Sequence, residues 1–282
     1  VWYRVGSSYE TRGETGLSHL FEHMMFKGTE RHAEGEFSEI ISREGGRLNA
    51  FTGRDFSAYF EIMAADRLPV ALELEADRMA NLQINAEALS TEREVVLEER
   101  RLRTDDRPEG RFAERYAAIA HPGTGYAHPI IGWADDVAAF EVADLRDWYD
   151  QWYTPTNATL VVAGDVEPEA VHSMAQEYFG GIEGRDVPAV HDPDNLQPPG
   201  ERRVIHRDPQ ARVTQLRMGY EVPSFATAES GRDPYALQML ATILDGGDGA
   251  RLAEDLVRGS GVAAAAGTPN SENSPSSLTM GL

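Results

Sequence analysis

The stretch from Gly16 to Thr29 reads GLSHLFEHMMFKGT and sets two histidines and a glutamate inside an apolar run. Leu17, Leu20, Phe21 and Met24 recur at three- and four-residue spacing, which predicts a helix over 14–27. At about 100° per residue, His19 and His23 stand about 40° apart and Glu22 about 60° from His19, on the same side. Two imidazoles at i and i+4 can reach one metal ion, and zinc accepts both nitrogen and oxygen ligands. A histidine pair on a surface helix would satisfy the same spacing without any metal, so a third ligand is required.

The order His19-x-x-Glu22-His23 is the inverted form of the zincin motif. A catalytic zinc needs three protein ligands and an open position for water. Glu22, on the metal-facing side but not needed as a ligand, is placed to take a proton from that water. A source for the third ligand is STEREVVLEERRLR, read as a helix with Thr91 and Glu94 as a capping box. Its wheel sets Glu92, Val95, Val96, Glu99 and Leu102 on one side. A carboxylate buried on such a stripe is costly unless a metal, or a histidine bound to one, compensates. A frayed helix with both acids in water is the alternative.

The rest of the chain frames this pair. Residues 34–44 read as a helix ended by Gly45-Gly46. RLNAFTGRDFSAYFEIM reads as two strands about the Gly53-Arg54-Asp55 turn. Residues 66–82 read as a helix, ATLVVAGDV as a short apolar strand, and a helix follows to about Phe179. The proline-rich segment 184–202 reads as a linker. Beyond it, RVTQLRMGYEVP alternates like a strand, and DPYALQMLATIL and ARLAEDLVRG read as helices. The expected organisation is a first domain over 1–183 and the start of a second over 203–282. The opening VWYRVGSSYE reads like the inside of a strand, which implies sequence ahead of Val1, and the tail ends without closing a unit.

Composition narrows the chemistry. The 282 residues are 41% hydrophobic, enough to bury a substantial core. There is no cysteine, which excludes disulfides, thiolate catalysis and cysteine-type zinc sites. There is no apolar run long enough to predict a membrane span. A net charge of −21 argues against nucleic acid and anionic membranes as partners. Lys27 is the only lysine among 26 basic residues, which reads as compositional bias. His121 and His128 flank PGTGYA and read as hydrogen-bonding loop histidines. LDGGDGARL is glycine-rich but lacks the Lys-Ser/Thr of a phosphate loop.

With both helices in view, the sequence resembles the M16 family of zinc metallopeptidases, the pitrilysin, insulinase and mitochondrial processing peptidase group. That family carries H-x-x-E-H followed by a glutamate about 76 positions after the second histidine, and here Glu99 lies 76 positions after His23. GGRLNAFTGRDFSAYF, HPGTGYAHPIIGW and YTPTNATLVVAGDV also look like family landmarks. The resemblance implies an α+β fold, a mainly antiparallel sheet packed against helices and repeated in a second domain, here truncated. It implies one zinc on His19, His23 and Glu99, with Glu22 as general base and Glu92 as an assisting acid. It implies a substrate-binding edge strand at Asn49, Ala50, Phe51 and Thr52. The expected activity is endoproteolysis of peptides or unfolded protein segments, and homo- or hetero-oligomers built through such domains are compatible with it. Some members are non-catalytic partner subunits or scaffolds, and a structural metal site is the rival reading. The compartment stays open between bacterial periplasm and cytoplasm.

Overall fold

The computed structural model describes residues 1–189, 200–225, 227–247, 249–261, 263 and 277–281. It forms two compact units, Val1–His206 and Arg207–Leu282. The expected 184–202 linker falls largely outside the described residues, as does much of the tail beyond Gly261.

The first unit is built on a four-stranded antiparallel sheet in the order β2-β3-β1-β4. Its strands are β1 (Trp2–Tyr3), β2 (Arg47–Thr52), β3 (Ser57–Ile62) and β4 (Ala158–Thr159). β2 and β3 form the hairpin expected about Gly53, with Asn49 opposite Phe60 and Thr52 opposite Ser57. β2 is the edge strand, so one of its sides carries no strand partner among the described residues. ATLVVAGDV contributes only its first two residues as β4, because β1 offers just Trp2 and Tyr3 to pair with.

Helices cover this sheet. α1 (Leu17–Met24) is shorter than the apolar spacing suggests, and local backbone chemistry sets its start. Gly16 sits at φ 90°, and a Cβ there would lie 2.6 Å from the Ile131 carbonyl oxygen. The Glu10 carboxylate accepts hydrogen bonds from the backbone N–H groups of Gly16 and Ser18, both at 2.8 Å. A carboxylate at a helix N-terminus satisfies orphan N–H groups and complements the dipole. The apolar stripe of α1 does what its spacing predicts. Leu20, Phe21 and Met24 are fully buried with Tyr3, Tyr59, Val96, Leu145 and Tyr153. Each such side chain contributes about 1.5–3 kcal/mol of burial, which anchors α1 and commits the opposite face to His19, Glu22 and His23.

α2 (Glu36–Arg43) and α3 (Leu68–Asn81) follow the expected positions within two residues. α4 (Ala86–Arg100) begins earlier than the capping-box reading placed it. Asn85 is the N-cap, accepting from the Ala88 N–H at 2.9 Å, while Thr91 lies inside the helix and donates back to the Glu87 carbonyl at 3.1 Å. An Asn cap serves as well as a Thr cap, and it captures the longer helix. The predicted stripe is also narrower than the wheel implied. Glu92 and Val96 are buried, but Val95 and Leu102 are exposed at 45% and 51%, Leu102 because a wide helical turn over Arg101–Asp105 redirects it. α5 (Pro108–Ala120), α6 (Ala134–Ala139) and α7 (Val142–Trp152) carry no clear sequence reading, and α8 (Pro168–Phe179) ends where expected. None of the described helices is long and apolar enough to cross a membrane.

The second unit, taken by itself, pairs β5 (Arg217–Glu221) antiparallel with β6 (Ser277–Gly281). It also contains α9 (Asp233–Asp245) and a wide helical turn over Ala253–Gly259. The alternating and helical patterns read in this region correspond to β5, α9 and that turn.

Candidate metal centre

α1 and α4 pack against each other, and their facing sides carry the candidate residues. His19 Nε2 lies 3.7 Å and His23 Nε2 3.5 Å from the same oxygen, Glu99 Oε2. Donor atoms of all three residues lie within 4.8 Å of one another. Zinc bonds of about 2.0–2.2 Å in a tetrahedral array set neighbouring donors about 3.3–3.6 Å apart. The two distances to Glu99 Oε2 lie close to that spacing, and the nitrogen, nitrogen, oxygen donor set suits one zinc ion. The three side chains are largely buried, at 12%, 22% and 19% exposure for His19, His23 and Glu99.

The surroundings orient each donor. The second nitrogen of His23, Nδ1, meets Glu92 Oε2 at 3.0 Å. An acid on Nδ1 fixes the ring so that Nε2 faces a metal. Glu92 thus sits behind a histidine and outside the group of three donors. Glu99 divides its oxygens, Oε2 to the histidines and Oε1 to Arg103 at 2.6 Å. His19 Nδ1 is buried and without a hydrogen-bond partner among the described residues.

Electrostatics follow from burial and these partners. Burial, reinforced by the neighbouring His23, pulls the His19 pKa down to about 4, so His19 is a neutral donor near pH 7. Burial also disfavours charge on His23, but the Glu92 and Glu99 carboxylates outweigh it and raise that imidazole to about 9 in the absence of metal. The hydrogen bond from His23 leads in holding both Glu92 and Glu99 below the usual carboxylate range.

Glu22 belongs to the same face but not to the donor cluster. Burial raises its pKa, against a hydrogen bond from Thr52. That contact, Thr52 Oγ1 to Glu22 Oε2 at 2.5 Å, ties the end of β2 to the acid on α1. Thr52 was expected only as a residue of the substrate strand, and no local pattern announces this second contact. Asn49 and Phe51 are exposed and Ala50 is half-buried along the same edge strand. His128 is not a member of the donor group; its Nε2 lies 2.6 Å from the Ser7 carbonyl oxygen, in line with the hydrogen-bonding reading.

Residues 1–132, which contain all of His19, Glu22, His23, Glu92 and Glu99, match the family model described as insulinase, peptidase family M16. Residues 139–281 match the model described as the peptidase M16 inactive domain. The zinc protease PqqE of Helicobacter pylori is 34% identical over 260 residues, which is 91% of this chain and 57% of that protein. The crystal structure of a protease from Helicobacter pylori superposes with a TM-score of 0.89 at 31% identity, covering 99% of this chain and 68% of that one. The ferredoxin protease FusC, solved in complex with Arabidopsis ferredoxin, shares the fold at a TM-score of 0.80 and 21% identity, over 99% of this chain and 32% of its own. The chain spans little more than half the length of the curated relative it matches. With two adjoining M16 models and a zinc protease at this level of identity, the chain belongs to peptidase family M16.

Proposed function

We propose that this chain carries the catalytic centre of a zinc-dependent endopeptidase acting on peptides or unfolded protein segments. The observation that carries the reading is the convergence of His19, His23 and Glu99 on one point, with Glu22 beside them and outside the donor set. His19, His23 and Glu99 would hold one zinc, which when bound supplies Lewis acidity and lowers the pKa of water. Glu22 accepts the proton of the attacking water and passes it to the leaving amine. Thr52 holds one carboxylate oxygen of Glu22 and leaves the other free for that exchange. Glu92 keeps the His23 ring in the orientation the site requires.

The edge of β2, which carries no strand partner among the described residues, supports a mode of substrate capture. An extended peptide can add to an unpaired strand through main-chain hydrogen bonds, with little demand on side-chain sequence. Asn49–Thr52 would be the receiving segment, and Thr52 links it to the base. The solved complex of FusC with ferredoxin is a precedent for a protein substrate on this fold. The division into a catalytic domain over 1–183 and a second, non-metal domain from 203 belongs to the same proposal. The match to an inactive domain begins at residue 139 and includes none of the candidate residues, so it does not speak against chemistry on the first domain.

Replacing Glu22 by Gln tests the reading. The amide is nearly isosteric and cannot accept the proton. Zinc content should stay near one per chain while peptide hydrolysis falls by about 10²–10⁴-fold, the usual worth of a general base. Turnover near the native rate would refute the assignment.

A further inference from the structure

We propose that Lys27 is a positioning residue for the metal site, anchoring the Glu92 carboxylate so that its second oxygen stays on His23 Nδ1. The proposal rests on the reading of His23 as a ligand. Lys27 is the one lysine in a chain whose other 25 basic residues are arginines. It lies just past the end of α1, four residues after His23, and its side chain is only 14% exposed. Its Nζ sits 2.6 Å from Glu92 Oε1 and 2.6 Å from Glu34 Oε1. Glu34 is 58% exposed and water can replace it, whereas Glu92 is 9% exposed.

The two oxygens of Glu92 are thus divided, Oε1 to the ammonium and Oε2 to the imidazole. A carboxylate held at one oxygen alone can rotate about its terminal bond, which is a broad, soft torsion. Held at both, it cannot turn. The consequence is twofold. His23 keeps its Nε2 toward Glu99, and Glu92 is kept from swinging in as a competing ligand on an acidic face. Glu99 repeats the pattern one helical face-repeat on, with Oε1 on Arg103 and Oε2 toward the histidines. Arg103 is 72% exposed, so solvent screens its pairing, and Lys27 is the better shielded of the two anchors.

The test measures zinc affinity directly, by chelator competition on the folded full-length protein, with circular dichroism as the control for folding. Lys27→Met keeps the aliphatic stem and removes the ammonium. It should weaken zinc binding about tenfold, within the range typical of partners behind a ligand. Lys27→Arg should restore affinity to within about threefold of native, since the cation is retained. On a Glu92→Gln background, Lys27→Met should add nothing, because both changes act through one carboxylate. Native affinity in Lys27→Met, or a full additional loss in the double variant, overturns the proposal. If Lys27→Met does not fold, Lys27→Gln replaces it with the same expectation, and native affinity there is equally decisive. His23→Ala is measured alongside. Native zinc binding in that variant would overturn the metal-site reading itself. Loss of zinc in His23→Ala with native binding in Lys27→Met would overturn only the role of Lys27.

Discussion

Replacing Thr52 by Val removes one hydroxyl from the site and changes almost nothing else. The two side chains have nearly the same shape, so no cavity opens at the end of β2. What is lost is the donor to Glu22 Oε2 at 2.5 Å. A short O–H···O⁻ bond of this kind is charge-assisted, and hydrogen bonds to charged groups are worth about 1.5–3 kcal/mol. Both residues are half-buried, so water can recover part of the loss, which places the effect in the lower half of that range. About 1.5–2 kcal/mol corresponds to a 12- to 30-fold fall in rate at 1.36 kcal/mol per decade. The fall should appear in kcat on an internally quenched peptide, measured with the full-length protein. KM should stay within about twofold, zinc content should be unchanged, and Thr52→Ser should recover most of the rate. A kcat within twofold of native would refute the positioning role. A raised KM with unchanged kcat would show that Thr52 serves the substrate strand alone.

Other perturbations separate the remaining roles. Glu92→Gln should retain most of the zinc and lose activity, whereas Glu99→Gln should lose zinc; equal loss of zinc by elemental analysis would make Glu92 a ligand. Gly16→Ala forces a Cβ to within 2.6 Å of the Ile131 carbonyl at φ 90°; it should lower stability by about 2 kcal/mol or more, and an unchanged melting temperature would contradict the account of how α1 begins. Away from the metal site, Glu61 shares a buried cluster with Glu75 and Arg78, where burial and then the Glu75 charge push its pKa up to about 9 against the pull of Arg78. A carboxyl raised on folding contributes stability that is complete below its unfolded value and fades as pH rises toward the folded value. Stability from denaturant titration should therefore decline between about pH 5 and pH 9, and Glu61→Gln should flatten that decline; an identical pH profile in the variant would refute it.

The parts of the fold legible in the sequence are those whose determinants are local. The i, i+4 histidine pair and the apolar stripe of α1 lie on one helix, so their geometry follows from helical spacing alone. The β2–β3 hairpin follows from alternation about Gly53. Glu99 needed more. Its helix could be read, but Val95 and Leu102 on the predicted stripe face solvent, because the stripe is set by what α1 covers and by the wide turn after Arg100. The 76-residue spacing supplied what the wheel could not. At the start of α4, Thr91-x-x-Glu94 fits a capping box as well as Asn85 fits a cap, and only the preceding residues decide for Asn85. β4 pairs over two residues because its partner β1, remote in sequence, offers only Trp2 and Tyr3. Thr52 and Lys27 left no local signal. Each acts through a side chain that folding brings from another element, Glu22 for one and Glu92 for the other.

The proposed chemistry depends on one point in space, between His19, His23 and Glu99. Anomalous diffraction above and below the zinc edge, from crystals of the full-length protein, tests it most directly. A single strong peak is expected about 2.0–2.2 Å from His19 Nε2, His23 Nε2 and a Glu99 carboxylate oxygen, with Glu92 on His23 Nδ1 and Glu22 outside the bonds to the metal. A peak coordinated by other residues, or none at this position in zinc-replete crystals, would contradict it.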